Sequence, residues 1–329
     1  MFNIERWKEI FQSIQKNKLR TALSGLTVSL GILIFIILFG LGEGLKNSYS
    51  DLFLNNANNV IYIYPGKTTK PFGGFKTNRR IEIKNGDIDA LKECKHIIHL
   101  CGYSILKRWT EKNKQLMHES RIGGANLLFN KCQELKIYPN TFISASASGI
   151  YGIESNGIKK EGDKIGSDWV ARMVYQWEIA AQKFKRLESR VINMRISLLL
   201  SKESGFLKYT LLSMRYGIGI ILGYKEHPIN WIHINDAARF VKESIENNAY
   251  QGSYNLANEE KISKYKFMKV IKMKASPYSL IITIPTYLTR ILFGKRSLIL
   301  NNKIILSVKK LKEIGFICKY NKLEDVLKN

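Results

Sequence analysis

The spacing of apolar positions along this chain changes character after its first third. From Ala22 to Gly42 the run ALSGLTVSLGILIFIILFGLG contains no charged residue. About twenty such residues are what a helix needs to cross a hydrocarbon core, so the run predicts one transmembrane helix. A cleaved signal peptide is the competing reading, but its apolar region is typically only about 7 to 15 residues long, and the run has no small-x-small exit. Lys16, Lys18 and Arg20 stand just before the run, which by the positive-inside rule places the N-terminus in the cytoplasm as a single-pass membrane protein. The later stretch LIITIPTYLTRILFG, Leu280 to Gly294, is shorter and is interrupted by Pro285 and Arg290.

From Cys94 onward, short apolar runs alternate with amphipathic ones. KHIIHLCG suits a strand buried on both faces. Thr110 offers an N-cap for a long helix with Leu116, Leu127, Leu128 and Leu135 on its apolar side. TFISASASGIYG reads as a second buried strand ending in small residues and a turn. Ser167 or Asp168 caps the helix DWVARMVYQWEIAAQKFKRL, in which Val170, Val174, Trp177, Ala181 and Phe184 recur at helical spacing, and RVINMRISLLL reads as a third strand. Strands alternating with helices predict an α/β fold with a parallel sheet covered on both faces.

Charge changes this picture little. The chain carries 52 Lys and Arg against 27 Asp and Glu, a formal net charge of +25, but the lysines are scattered through every segment and accompany abundant Ile and Asn. No nucleic-acid motif goes with the charge, so a nucleic-acid partner is not expected. Cys94, Cys101, Cys132 and Cys318 form no CxxC pair and have no histidine at metal-ligand spacing. They read as reduced, mostly buried thiols, and no metal site is expected.

In order and spacing, the segments IIHLCG, KRWT, Ser120-Arg121, FISASASGIYG, WVARMVYQWE, RISLLLS, YGIGIILG, WIHINDAAR and IPTYLTRILFG resemble the extended short-chain dehydrogenase/reductase superfamily. The match is to its NAD(P)-dependent epimerase-like proteins of the cell-division-inhibitor type, over about residues 93–329. The resemblance implies that the loop after IIHLCG lies over NAD(P), with His99, Cys101, Gly102, Ser120, Arg121 and Ser144 bordering the cofactor. It places Ser144 and Ser146 where the superfamily has its active-site serine; local hydrogen bonding in a turn is the alternative for both. It also places Val170 and Val174 where the superfamily has a tyrosine and a lysine, whose pairing lowers the tyrosine pKa for proton transfer. Neither valine can accept a proton. Tyr103 with Lys107, and Tyr265 with Lys269, repeat the same spacing, but neither pair comes after the serine strand in the required place. His99 and His233 read as structural histidines, since no triad partner stands near either in sequence.

The opening residues resemble another family. MFNIERWKEIFQSIQKNKLRTALSGLTVSLGILIFIILFGLGEGL, with NNVIYIYPGKTTKPFGGFKTNRRIEI after it, looks like the start of a MacB-like ABC transporter permease. Upstream of Ile97 the glycine-containing stretches are GLGEGL and PGKTTKPFGG, and neither lies between a strand and a helix as a dinucleotide loop must. The resulting expectation is a truncated Rossmann-like doubly wound parallel sheet preceded by one transmembrane helix. Its parts are an N-terminal segment at 1–48 with the span at 22–42, a permease-like fragment at 49–92, an epimerase-like domain at 93–272 and a small C-terminal module at 273–329. On this view NAD(P) binding is weak or absent and any epimerase or oxidoreductase activity is impaired. A permease fragment or a chimera is the alternative, and the small-molecule substrate is unreadable.

Overall fold

The computed structural model describes residues 94–328, together with Leu19, Leu23, residues 26–30 and Ile32. The chain divides into two compact units, Met1–Asn55 and Asn56–Asn329. In the first unit the described residues are helical and exposed. Most of the expected span at 22–42 lies outside the described residues, and among those described no helix is long and apolar enough to cross a membrane.

In the second unit, β1 (His96–His99) leads through a loop to α1 (Glu111–His118). Thr110 is its N-cap, with Oγ1 accepting the Asn113 amide at 3.3 Å. A π turn, Glu119–Gly123, joins α1 to α2 (Gly124–Glu134). A π turn inserts a residue into the helical path, so the faces of α2 are rotated about the axis relative to those of α1. The buried stripe therefore runs through Met117, Ile122, Ala125, Phe129 and Cys132. Leu116 and Leu127, expected on the apolar side, are exposed, while Leu128 and Leu135 pack partly against the core. None of the four cysteines is in a disulfide, and of them only Cys132 is fully buried.

The chain continues through β2 (Thr141–Ala147), a 3-10 turn at Ser148–Tyr151, β3 (Asn156–Lys159) and α3 (Trp169–Gln182). Asp168 is the α3 cap: Oδ1 accepts the amides of Val170 and Ala171 at 2.9 and 3.1 Å. Its Oδ2 accepts the Ile153 amide at 2.8 Å, so one carboxylate fixes both the helix start and the loop after β2. The expected stripe from Val170 to Phe184 is buried throughout. Next come β4 (Arg190–Ile196) and β5 (Leu198–Leu200). The single strand expected over RVINMRISLLL is thus divided at Ser197, because β4 stays in the main sheet while β5 leaves it.

Beyond lie α4 (Gly205–Arg215), β6 (Ile218–Leu222), β7 (Pro228–Ile229), β8 (Trp231–His233), α5 (Ile234–Glu246) and β9 (Gly252–Leu256). The chain ends through β10 (Ile262–Ser263), α6 (Lys264–Ala275), β11 (Leu280–Ile284), α7 (Thr286–Phe293), β12 (Lys303–Leu306), α8 (Lys309–Glu313) and α9 (Leu323–Lys328).

The main sheet has the order β1-β2-β4-β9 and every pairing in it is parallel. Among the described residues no strand flanks the outer edge of β1. One face, carrying Ile97, Phe142 and Val191, packs on α1, α2 and α3. The other, carrying Ile143, Ile192, Met194, Tyr254 and Leu256, packs on Phe240 of α5 and on Phe316. Helices on both faces of a parallel sheet make this a Rossmann-like α/β fold. Four further strand pairs, β5–β8, β6–β11, β3–β12 and the antiparallel β7–β10, build the region beyond the C-terminal strand ends.

The loop between β2 and α3 depends on two glycines. Gly152 has φ +93°, and a Cβ on Gly166 would lie 2.4 Å from the Gly152 Cα. Gly166→Ala therefore has to move backbone and is expected to cost about 2–3 kcal/mol in urea unfolding. Gly162→Ala in the same loop, where a Cβ meets nothing within 4 Å, is expected to change stability by less than about 1 kcal/mol. Equal losses would contradict this account of the loop.

Candidate functional site

The face of the sheet that packs on α1–α3 is apolar near the start of its strands and polar near their C-terminal ends. By register, His99, Ser144 and Asn193 lie side by side, with Ser253 next to Asn193, and one step further come Ser146, Arg195 and Asn255. Burying this polar band requires internal partners. Glu178 of α3 provides the centre: it receives Arg195 Nε and Nη2 at 2.8 and 2.9 Å, the Ser146 hydroxyl at 2.6 Å and the Ser253 hydroxyl at 3.1 Å. Arg195 Nη1 donates to the Tyr151 hydroxyl at 3.0 Å and to the Glu161 carbonyl at 2.8 Å. The Tyr151 hydroxyl donates to Asn255 Oδ1 at 2.6 Å, and Asn255 Nδ2 donates to the Lys159 carbonyl at 3.0 Å. Burial alone would lower the Arg195 pKa, but hydrogen bonding to Glu178 and its charge outweigh this and hold it raised. The Tyr151 phenol is raised by burial, so it is a hydrogen-bonding group and not a base at neutral pH.

This cluster accounts for the expected catalytic serines. Ser146 is buried with its hydroxyl on Glu178; Ser144 is buried and donates to the Ala145 carbonyl at 2.9 Å. Both hydroxyls are committed to the protein itself. The Glu178–Arg195 pair was missed as a site feature, although it left a signal: one arginine in the apolar strand run VINMRISLLL needs a buried carboxylate.

The residues expected to border a cofactor do converge, at the end of β1. Ser120 Oγ accepts the Tyr103 amide at 2.8 Å and donates to the Met117 carbonyl at 3.1 Å. Arg121 Nη1 donates to the carbonyls of Tyr103 and Met117 at 2.8 and 3.1 Å, and its guanidinium lies 5.1 Å from the Trp177 ring centre. A Cβ on Gly102 would stand 2.9 Å from Arg121 Nη2, so the loop Cys101–Tyr103 is pressed onto the arginine. Burial raises the Cys101 thiol pKa and keeps it protonated. Tyr103 lies in this loop, so with Lys107 it does not form a helical pair; Tyr265 and Lys269 belong to α6.

Val170 and Val174 are buried, and a Cβ on Gly149 would stand 3.0 Å from Val170 Cγ1 and 3.9 Å from Val174 Cγ2. They present an apolar wall to the turn after β2. His233 is structural: its Nδ1 accepts the Asn235 amide at 3.2 Å at the start of α5, and its ring stacks on Tyr320 at 3.7 Å.

His99 is more than a spacer. Its Nδ1 accepts the Trp177 indole N–H at 3.4 Å, which leaves the proton on Nε2, a buried atom without a partner that faces Gly124. Burial, and after it the charge of Arg121, lower its pKa from 6.5 to about 4. Between these values the unfolded chain takes up a proton that the folded chain refuses. Stability should therefore rise by about 3 kcal/mol from pH 4 to 6.5 on this account and be flat above it. His99→Phe should remove that part of the pH dependence in urea unfolding. A variant with the wild-type slope would overturn the assignment.

Comparison with known proteins agrees with this geometry. The profile of the NAD dependent epimerase/dehydratase family matches residues 50–257, more than half of the chain. An epimerase family protein of Staphylococcus aureus (strain N315) is 29% identical over 238 residues, covering 71% of this chain and 78% of that protein. One from Staphylococcus haemolyticus (strain JCSC1435) is 27% identical over 246 residues, covering 73% and 81%. A human epimerase family protein crystallised with NADPH superposes with a TM-score of 0.64 at 21% identity, over 73% of this chain and 84% of that one, and so shares the fold. The family match begins at residue 50, so residues 50–92, expected to be permease-like, fall inside it. The permease and chimera readings rested on the opening segment through GLGEGL, on the NNVIYIYPG stretch after it and on the lack of a glycine loop, and they gain no support here. The parallel sheet, the converging loop at the end of β1 and the extent of the match lead to one conclusion: this chain belongs to the NAD dependent epimerase/dehydratase family.

Proposed function

We propose that this chain is a family member that engages a nicotinamide dinucleotide weakly at the C-terminal ends of β1 and β2 and carries out no proton transfer of the tyrosine–lysine type. The carrying observation is the buried pair Val170 and Val174, packed on Gly149 where a proton acceptor would be required. The fit of the described residues to NAD(P) is partial. Gly102 and the loop around it, anchored by Ser120 and Arg121, suit close approach of a flat ring, and Arg121 places a fixed positive charge beside it. When bound, NAD(P) supplies hydride chemistry; on the protein side, neither 170 nor 174 can give or take a proton, and the hydroxyls of Ser144 and Ser146 are engaged elsewhere. The reason for weak affinity is the sequence upstream of β1, which has no glycine loop of the form that seats a pyrophosphate on a helix N-terminus.

Calorimetric titration of the full chain with NADH and NADPH tests this proposal. The expected Kd is weaker than about 100 μM, which is about 5 kcal/mol of binding free energy. Affinity at the micromolar level or tighter would overturn it.

A further inference from the structure

The region beyond the C-terminal strand ends carries a surface that the site does not use. In the parallel pair β6–β11, Gly219 and Ile221 face inward, Ile221 is buried, and Ile281 packs against the core that includes Met214, Phe267 and Met268. The opposite face aligns Ile218, Ile220 and Leu222 with Leu280, Ile282 and Ile284, and none of the six is buried. Leu280 is 67% exposed. Pro285 then turns the chain directly into α7, where Ile291 is 75% exposed and Tyr287, Leu288 and Leu292 are exposed as well. Tyr278, just before β11, is 95% exposed. Scattered apolar side chains on a surface require no explanation, but a contiguous aliphatic face does.

Charge identifies what covers it. Between Lys261 and Lys312 the sequence holds thirteen Lys and Arg residues and no Asp or Glu. Arg290 in α7 and Lys295 just after it are exposed beside the aliphatic residues of that helix, and Lys266, Lys269 and Lys274 are exposed on α6, which packs on the inward face of the pair. Cations are scattered along the whole chain; at the end of this stretch Lys312 and Lys309 meet Glu259 and Glu313 just outside it, but β11 and α7 have no acid within the stretch to offset Arg290 and Lys295. A second copy of the chain is a poor occupant, since a two-fold contact would set this cationic surface against itself. A nucleic acid would match the charge but not the branched aliphatic side chains, because its recognition surfaces stack on aromatic rings. An anionic bilayer matches both, with apolar side chains entering the acyl boundary and lysines meeting the headgroups.

We propose that the β6–β11 face and α7 dock onto an anionic phospholipid surface. Arg296, just beyond α7, donates to the Leu106 carbonyl in the loop after β1, so the docked surface is tied to the mouth of the site. The candidate anchor at 22–42 would hold the chain on any bilayer, so a local readout is needed.

Hydrogen–deuterium exchange of the full chain, with vesicles of phosphatidylcholine alone or with about one-third phosphatidylglycerol, supplies it. Exchange in residues 278–293 should slow by about tenfold on the anionic vesicles only. The slowing should be lost both in Ile291→Asp/Leu292→Asp and in Arg290→Glu/Lys295→Glu, with unfolding midpoints unchanged. Equal exchange on the two vesicle types overturns the proposal. So does slowing of this segment by duplex DNA in place of vesicles, or slowing that grows with protein concentration in the absence of lipid.

Discussion

The structure turns on one buried ion pair, Glu178 with Arg195. An arginine inside a parallel strand is tolerable only if each of its donors finds an acceptor, and an unpaired carboxylate at that depth is equally costly. Here both conditions are met by elements far apart in sequence. Glu178 comes from α3, Arg195 from β4, Ser146 from β2, Ser253 and Asn255 from β9, and Tyr151 from the turn after β2. Asn255 extends the network to the Lys159 carbonyl in β3 and to the Ser307 carbonyl just after β12. Main sheet, covering helix and C-terminal return are therefore joined through one polar cluster.

That anchor bears directly on the chemistry. Val170, Val174 and Glu178 are spaced four residues apart on α3, so they lie along one side of the helix. With Glu178 fixed on Arg195, the helix cannot slide or rotate to bring another residue to the turn at Gly149. On the proposed reading, the lack of a proton acceptor follows from side-chain identity at 170 and 174, and not from a shifted helix. The serines tell a related story: Ser146 was expected to bond a substrate, and its position on the sheet brings its hydroxyl onto Glu178.

Much of the fold was legible from residue patterns. Thr110 caps α1 as expected, the stripe from Val170 to Phe184 is buried, and strand–helix alternation gave the parallel sheet. The failures share a physical character. The π turn at Glu119–Gly123 has no periodicity signal, so the buried side of α1 and α2 was misplaced onto Leu116 and Leu127. The break at Ser197 depends on which strand β5 pairs with, information that resides in β8, some thirty residues on. The polar cluster was hidden because its members are single polar residues within apolar runs, and their convergence is a product of strand register. The grouping at the end of β1 was accessible only through resemblance, since Ser120 and Arg121 act on backbone atoms of a loop seventeen and eighteen residues upstream.

A double-mutant cycle on Glu178 and Arg195 tests the central role of the ion pair most directly. The single variants Glu178→Leu and Arg195→Met each leave a buried charge unpaired and should cost about 3–5 kcal/mol in urea unfolding. Because the double variant removes both charges together, it should lose well under the sum of the two, with a coupling energy of about 2 kcal/mol or more. Single losses that add to the double within about 0.5 kcal/mol would show that the pair is not coupled, and would contradict the account of this fold as organised around it.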